Sequence, residues 1–177
     1  MLMPLLSMSG VFTLEPMQPT LTSEHNAMAQ RSVLCWLATA SAQGQPNVSP
    51  KEVFALVDDE HIVVANIASP TSAKNIHANA QVCLSFVDVF AQKGYKVLGT
   101  ARDVRPTEAE FAHWAKPLQA MAGDRFPIRS VFVIRATAVE PIIAPSYRLY
   151  PSETTEASQT EAALRTYGVQ RNERHIG

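Results

Sequence analysis

VLCWLAT (33–39), SAQGQP (41–46), NVSPKEVFALV (47–57), DD (58–59) and HIVVANI (61–67) follow one another in the first half of the chain. The first, third and last pieces are rich in β-branched and aromatic residues. The pieces between them carry turn residues: Gly44 and Pro46 in one, an aspartate pair in the other. The stretch therefore reads as a hairpin extended into a third strand, a meander. Ser49-Pro50 interrupts the second strand with a residue that has no N–H to give a ladder, so that strand belongs at an edge, a bulge or a barrel corner.

Downstream, SPTSAKNIHANA (69–80) breaks the β rhythm. Pro70 punctuates, Thr71 or Ser72 can cap, and Ile76 is the inward residue of a one- or two-turn helix. QVCLSFVDV (81–89), GYKVLGTARDV (94–104) and SVFVIRATAVEPII (130–143) return to strand character. Between the last two, Phe111, Trp114, Leu118 and Met121 recur at helical spacing within 106–123, where Pro117 is expected to kink the helix or end it early. Trp114 at that spacing reads as a core residue. Upstream, Thr22 or Ser23 can cap a short helix through Ala29.

Six strands with a short helix after the third and a longer one before the sixth predict a mainly β fold with flanking helices. Its expected form is a six-stranded antiparallel barrel, since closure removes exposed edges; an open sandwich is the alternative. The barrel domain is expected over 21–150, followed by a helical tail over 151–177 with Gly168 ending its helix. Residues 1–20 read as a loose leader: apolar, interrupted by Pro4, lacking a basic start and too short to span a bilayer.

The 177 residues, 46% hydrophobic, suffice for one domain with a real core. With 15 basic and 16 acidic side chains there is no basic field for nucleic acid, and no membrane partner is expected. Cys35 and Cys83 sit in apolar runs, two thiols make neither a disulfide framework nor a zinc site, and they suit a reducing cytoplasm. None of the five histidines has metal-site spacing, so no metal is expected.

The most informative segment for function is VVANIASPTSAKNI (63–76). A strand end, two hydroxyls, Lys74 and Asn75 gather at the start of a helix, where backbone N–H groups and the helix dipole favour an anion such as phosphate. An ordinary capped helix with a solvated lysine would look the same in isolation. The meander adds Lys51 from the neighbouring strand, so two lysines flank one position.

These residues resemble the pyridoxamine 5'-phosphate oxidase-like family of FMN-binding split barrels over roughly 21–143. SAKN (72–75), NAQVCLSF (79–86) and KVLGTA (96–101) carry the resemblance. It implies a homodimer with FMN at each edge of the interface. Ser72, Lys74, Asn75 and Lys51 would then hold the ribityl phosphate beside Thr71, with Asn47, Val48, Ser49, Ala65 and Asn66 around the flavin ring. Gln92, Lys93 and Tyr95 of the partner subunit would close the site, with Lys93 or Lys96 supplying positive charge near the N1 and O2 edge. The chain also departs from the vitamin B6 oxidases. Ala73 replaces an arginine, QKGYK (92–96) replaces an Arg-Gln pair, and YRLYP (147–151) lacks the tryptophan-containing tail, all of which points away from pyridoxamine phosphate as substrate. The expected function is an FMN-dependent oxidoreductase passing electrons between a reduced nicotinamide or small organic substrate and an acceptor. The alternatives are a flavin- or heme-binding barrel without turnover, or a ligand-free interaction module.

Overall fold

The computed structural model describes residues 21–171. The expected leader over 1–20 and the last six residues of the tail lie outside them. The elements run α1 (Ser23–Arg31), β1 (Cys35–Ala40), β2 (Pro46–Lys51), β3 (Phe54–Leu56), β4 (His61–Asn66), α2 (Pro70–Ala78), β5 (Gln81–Asp88), β6 (Lys93–Val104), α3 (Phe111–Ala122), β7 (Ser130–Ile143), α4 (Ser146–Leu149) and α5 (Glu156–Tyr167).

All strands join one antiparallel sheet in the order β2-β1-β5-β6-β7-β4-β3. There are seven, not the six expected, because NVSPKEVFALV is not one strand. The chain leaves β1 after Lys51, turns through Glu52 and Val53, and resumes as β3 against β4. β2 and β3 thus form the two opposite edges of the sheet although two residues join them. Those edges can both be reached only if the sheet curls until they meet. The Ala65 amide completes the corner by donating to the Val53 carbonyl at 2.9 Å. Pro50 falls on an edge strand, where its missing N–H costs no ladder bond.

The curl encloses one apolar cluster, with Leu37, Ile62, Leu84, Phe132 and Ile134 fully buried. A second cluster forms outside it, where Val63 and Ala65 of β4 and Val131 and Val133 of β7 pack under Ala115 and Leu118 of α3. Both faces of β4 and β7 are therefore covered, which is why HIVVANI and VFVI read as unbroken apolar runs rather than alternating ones. This packing also carries α3 through Pro117 to Ala122, beyond the early end expected at the proline. Burial of the Ala115–Leu118–Ala122 face offsets the roughly 3 kcal/mol cost of an internal proline. Half-buried Trp114 packs on the same cluster. Gly94 and Gly99 keep β6 close to its neighbours, since a Cβ would overlap the Phe86 carbonyl at the first and the Arg135 carbonyl at the second.

Thr22 caps α1 as expected: its hydroxyl accepts from the His25 amide at 3.4 Å while His25 Nδ1 accepts from the Thr22 amide at 2.9 Å. Thr22→Ala should lower the urea-unfolding free energy by about 1 kcal/mol, the usual worth of such a cap. Gly168 ends α5 in the left-handed conformation at φ 66, again as expected. No helix among the described residues is long and apolar enough to cross a membrane.

Candidate functional site

β2 runs along the edge with Pro46, Val48 and Pro50 exposed, while Asn47, Ser49 and Lys51 turn inward. That period of two presents three polar side chains toward the start of α2. Asn47 Nδ2 donates to Thr39 Oγ1 at 3.1 Å and to Ser72 Oγ at 3.4 Å. Ser49 and Ser72 hydroxyls are 3.1 Å apart, and Asn75 Nδ2 donates to Thr39 Oγ1 at 3.1 Å. Ser72 and Asn75 are buried, so α2 is fastened to the sheet through polar groups rather than floating on it.

The helix itself starts two or three residues earlier than expected. Ser69 is its N-cap and Pro70 its first residue; Thr71 and Ser72 lie in the first turn and neither caps it. The Ser69 side chain makes no capping bond, which leaves the first-turn donors without an internal partner. Asn66 fixes the entry: its Oδ1 accepts from the Ser69 amide at 3.1 Å, and its Nδ2 donates to Ser130 Oγ at 2.8 Å across the β4–β7 pair.

Lys51 is the least ordinary group. It is 6% exposed, its ammonium contacts the Ser69 hydroxyl and lies 5.8 Å from the centre of the Phe132 ring, and among the described residues no carboxylate pairs with it. Burial draws its pKa below the ordinary 10.5. The nearby Cys35 does not compensate: burial pushes that thiol up to about 12, so it remains uncharged at neutral pH. A buried cation without a counter-ion is expensive unless an anion completes the site.

Two cavities flank the start of α2. One of about 290 Å³ is lined by Lys51, Val53, Ala65, Ser69 and Phe126 among others. The other, about 490 Å³, takes in Ser41, Gln43, Thr71, Lys74 and Asn75. Thr71 and Lys74 are exposed on it. The structure thus gathers Asn47, Ser49, Lys51, Ala65, Asn66, Thr71, Ser72, Lys74 and Asn75 around one helix start, each lysine in its own cavity. Val48 belongs to the same strand but points its side chain to the opposite, exposed face.

Gln92 and Lys93 are elsewhere in the protomer. They stand at the beginning of β6, whereas α2 meets the far end of that strand, where the Ala101 amide donates to the Ala80 carbonyl. Gln92 has a left-handed backbone at φ 54, and Lys93 is held by Glu156 of α5 at 2.9 Å and lies 4.4 Å from the Tyr147 ring centre. Thr39, Ser69 and Ser130 are site residues that the sequence reading passed over. Thr39 was detectable as the polar member of the inward series Cys35, Leu37, Thr39, and Ser69 as the serine preceding a helix-starting proline.

No group of three His, Cys, Asp or Glu able to hold a metal occurs among the described residues. What the α2 start can do chemically is bind an anion: uncapped helix amides lie there, with the Lys51 ammonium and Ser69 hydroxyl on one side and the Thr71 hydroxyl and Lys74 on the other.

Comparisons with known proteins agree in fold. HupZ of Group A Streptococcus is 26% identical with a TM-score of 0.58, covering 67% of this chain and 91% of its own. An FMN-binding protein of Syntrophomonas wolfei subsp. wolfei, 15% identical with a TM-score of 0.58, covers 68% and 84%. HutZ, the heme storage protein of Vibrio cholerae, 20% identical with a TM-score of 0.56, covers 70% and 94%. The last two, at those identities, share the fold alone. No curated protein matches. The family model for pyridoxamine 5'-phosphate oxidase matches residues 21–143, the whole sheet with α1 to α3, and on that match the chain belongs to the pyridoxamine 5'-phosphate oxidase-like split-barrel family.

Proposed function

We propose that the protein is an FMN-dependent oxidoreductase of the cytoplasm, passing electrons between a reduced nicotinamide or small organic substrate and an acceptor. The observation that carries this reading is Lys51: a buried ammonium with no carboxylate partner among the described residues, set beside the uncapped start of a helix. A phosphate monoester supplies the missing charge, Ser69 and the uncapped helix amides supply further donors, and Thr71 and Lys74 add polar and positive surface on the other side of the helix start. FMN, when bound, carries the redox chemistry in its ring. The chain's own work is to hold the phosphate, to place the ring against β2 and the β3–β4 pair, and to keep water from it.

A homodimer is part of the proposal. The outer face of the sheet carries a row across five strands, Val48, Ala38, Cys83, Leu98 and Ala138, beside Pro50 and Trp36 of the next row. Val48 is 57% and Trp36 45% exposed, an apolar surface suited to a second copy. In such a dimer the Gln92–Lys93 turn of the partner subunit would reach the flavin.

An absorption spectrum of the purified protein, mass spectrometry of the cofactor released by acid, and a light-scattering mass test this together. Flavin bands, an FMN mass and twice the 19.4 kDa of one chain are expected. A Soret band without flavin would replace this reading by heme binding. Neither cavity at α2 offers a histidine to heme iron.

A further inference from the structure

A further cavity adjoins the β2–β3 corner. It measures about 510 Å³, within the range that holds small ligands, and lies between α1, β3 and α3. Asn26 and Gln30, one turn apart on α1, bring two amides to it, Phe54 and Leu56 of β3 and Met121 of α3 bring apolar surface, and Glu52 brings a carboxylate. No lysine, arginine or histidine lines it.

The β2–β3 corner explains how opposite charges come to adjoin. Lys51, the last residue of β2, is buried on the side of α2, while the next residue, Glu52, is exposed and lines both the 290 Å³ and the 510 Å³ cavities. In the 290 Å³ cavity Glu52 is accompanied by the Lys51 ammonium, whereas in the 510 Å³ cavity no cation accompanies it, so only the second carries an uncompensated negative charge. We propose that the 510 Å³ cavity is a second ligand site, for a flat aromatic molecule that is cationic or uncharged, and that Glu52 excludes phosphorylated or carboxylated relatives. Amides meet polar ring substituents, Phe54, Leu56 and Met121 cover the ring, and Glu52 sets the sign of charge accepted. A substrate bearing a phosphate, as pyridoxamine 5'-phosphate does, finds no cation here. This assignment names the substrate side of the flavin reading, but the binding it asserts does not depend on flavin.

Calorimetric titration of the full chain with 1-methylnicotinamide, a cation, and nicotinate, an anion of similar size, tests it. The cation should bind at least about tenfold more tightly, a difference of about 1.4 kcal/mol. Glu52→Gln, at an exposed position, should bring the two within about threefold, and Met121→Trp, which fills the cavity, should weaken both about tenfold. Nicotinate binding as well as the cation, neither ligand binding, or a preference unchanged in Glu52→Gln would each overturn the assignment. A colourless protein that keeps the preference overturns only the flavin reading; a yellow one that lacks it overturns only this one.

Discussion

Replacing Lys51 by methionine should stabilise the flavin-free protein while cutting its affinity for FMN about a hundredfold, the worth of a charge-assisted contact of roughly 2.7 kcal/mol. The two effects have opposite signs for one reason. Without a ligand the ammonium is buried against a hydroxyl and an aromatic ring, and methionine fills the same space without a charge to desolvate. With FMN the same ammonium faces a phosphate. A lysine kept only for structure would lose stability on substitution and leave binding alone, so a drop in the melting temperature of the flavin-free variant with unchanged FMN affinity would sink the site. Riboflavin, which lacks the phosphate, should bind the variant as well as it binds the parent. Lys74→Ala should show the same FMN-over-riboflavin pattern at about tenfold, because Lys74 is exposed and its charge is screened.

The pH dependence follows from the direction of the Lys51 shift. Its folded pKa lies below the ordinary 10.5, so the unfolded chain binds more protons in the interval between those two values. Stability of the flavin-free protein should therefore rise with pH through that interval and be lost again as pH falls through the lowered value. Bound phosphate favours the protonated form and opposes the shift, so FMN should raise the melting temperature most at neutral pH and least above the ordinary lysine value of 10.5. Calorimetry with and without FMN across that range reads this directly.

What was legible in the sequence was local. The turn at Gly44, the Asp58–Asp59 turn and the cap at Thr22 each declare themselves within a few residues, whereas on α3 Leu118 faces inward as expected but Met121 is 52% exposed and Ala115 and Ala122 take the buried positions. Ser72 and Asn75 are tied to β2 and β1, but Lys51 and Lys74, expected to flank one position, border separate cavities, and Lys51 comes to the helix by a route other than the one expected. A meander was expected to lay the second strand beside the third, whereas Lys51 arrives because the sheet curls and its two edges meet at Glu52 and Val53. Nothing in KEVFALV marks that break, since both halves alternate and both are good strand formers; the only sign was Pro50, which demanded an edge without saying there were two. The helix start at Ser69 was open to reading from Ser-Pro, but the hydroxyls at 71 and 72 competed for the same role. Gln92 and Lys93 had support from resemblance alone, and within a protomer they are tied to the tail through Glu156 and Tyr147.

Phe132→Ala should have the largest effect on stability, about 3–5 kcal/mol, or roughly 6–20 °C in melting temperature. Phe132 is fully buried near the start of β7, between Val64 of β4 and Asp103 of β6, and belongs to the apolar cluster that the curl encloses. No neighbour can follow it inward, because the strands on either side are fixed by their ladders. Phe132→Leu keeps most of that volume and should cost no more than about 1.5 kcal/mol, but it also removes the aromatic face near the Lys51 ammonium. In a Lys51→Met background that second loss is absent. A double-mutant cycle on Phe132→Leu and Lys51→Met, read from urea midpoints of the flavin-free protein, should therefore return a coupling of about 0.5–1 kcal/mol. Zero coupling would mean that the ring merely fills space. Coupling of that size would make the residue that closes the core also the one that lets a lone cation wait at the site for its anion.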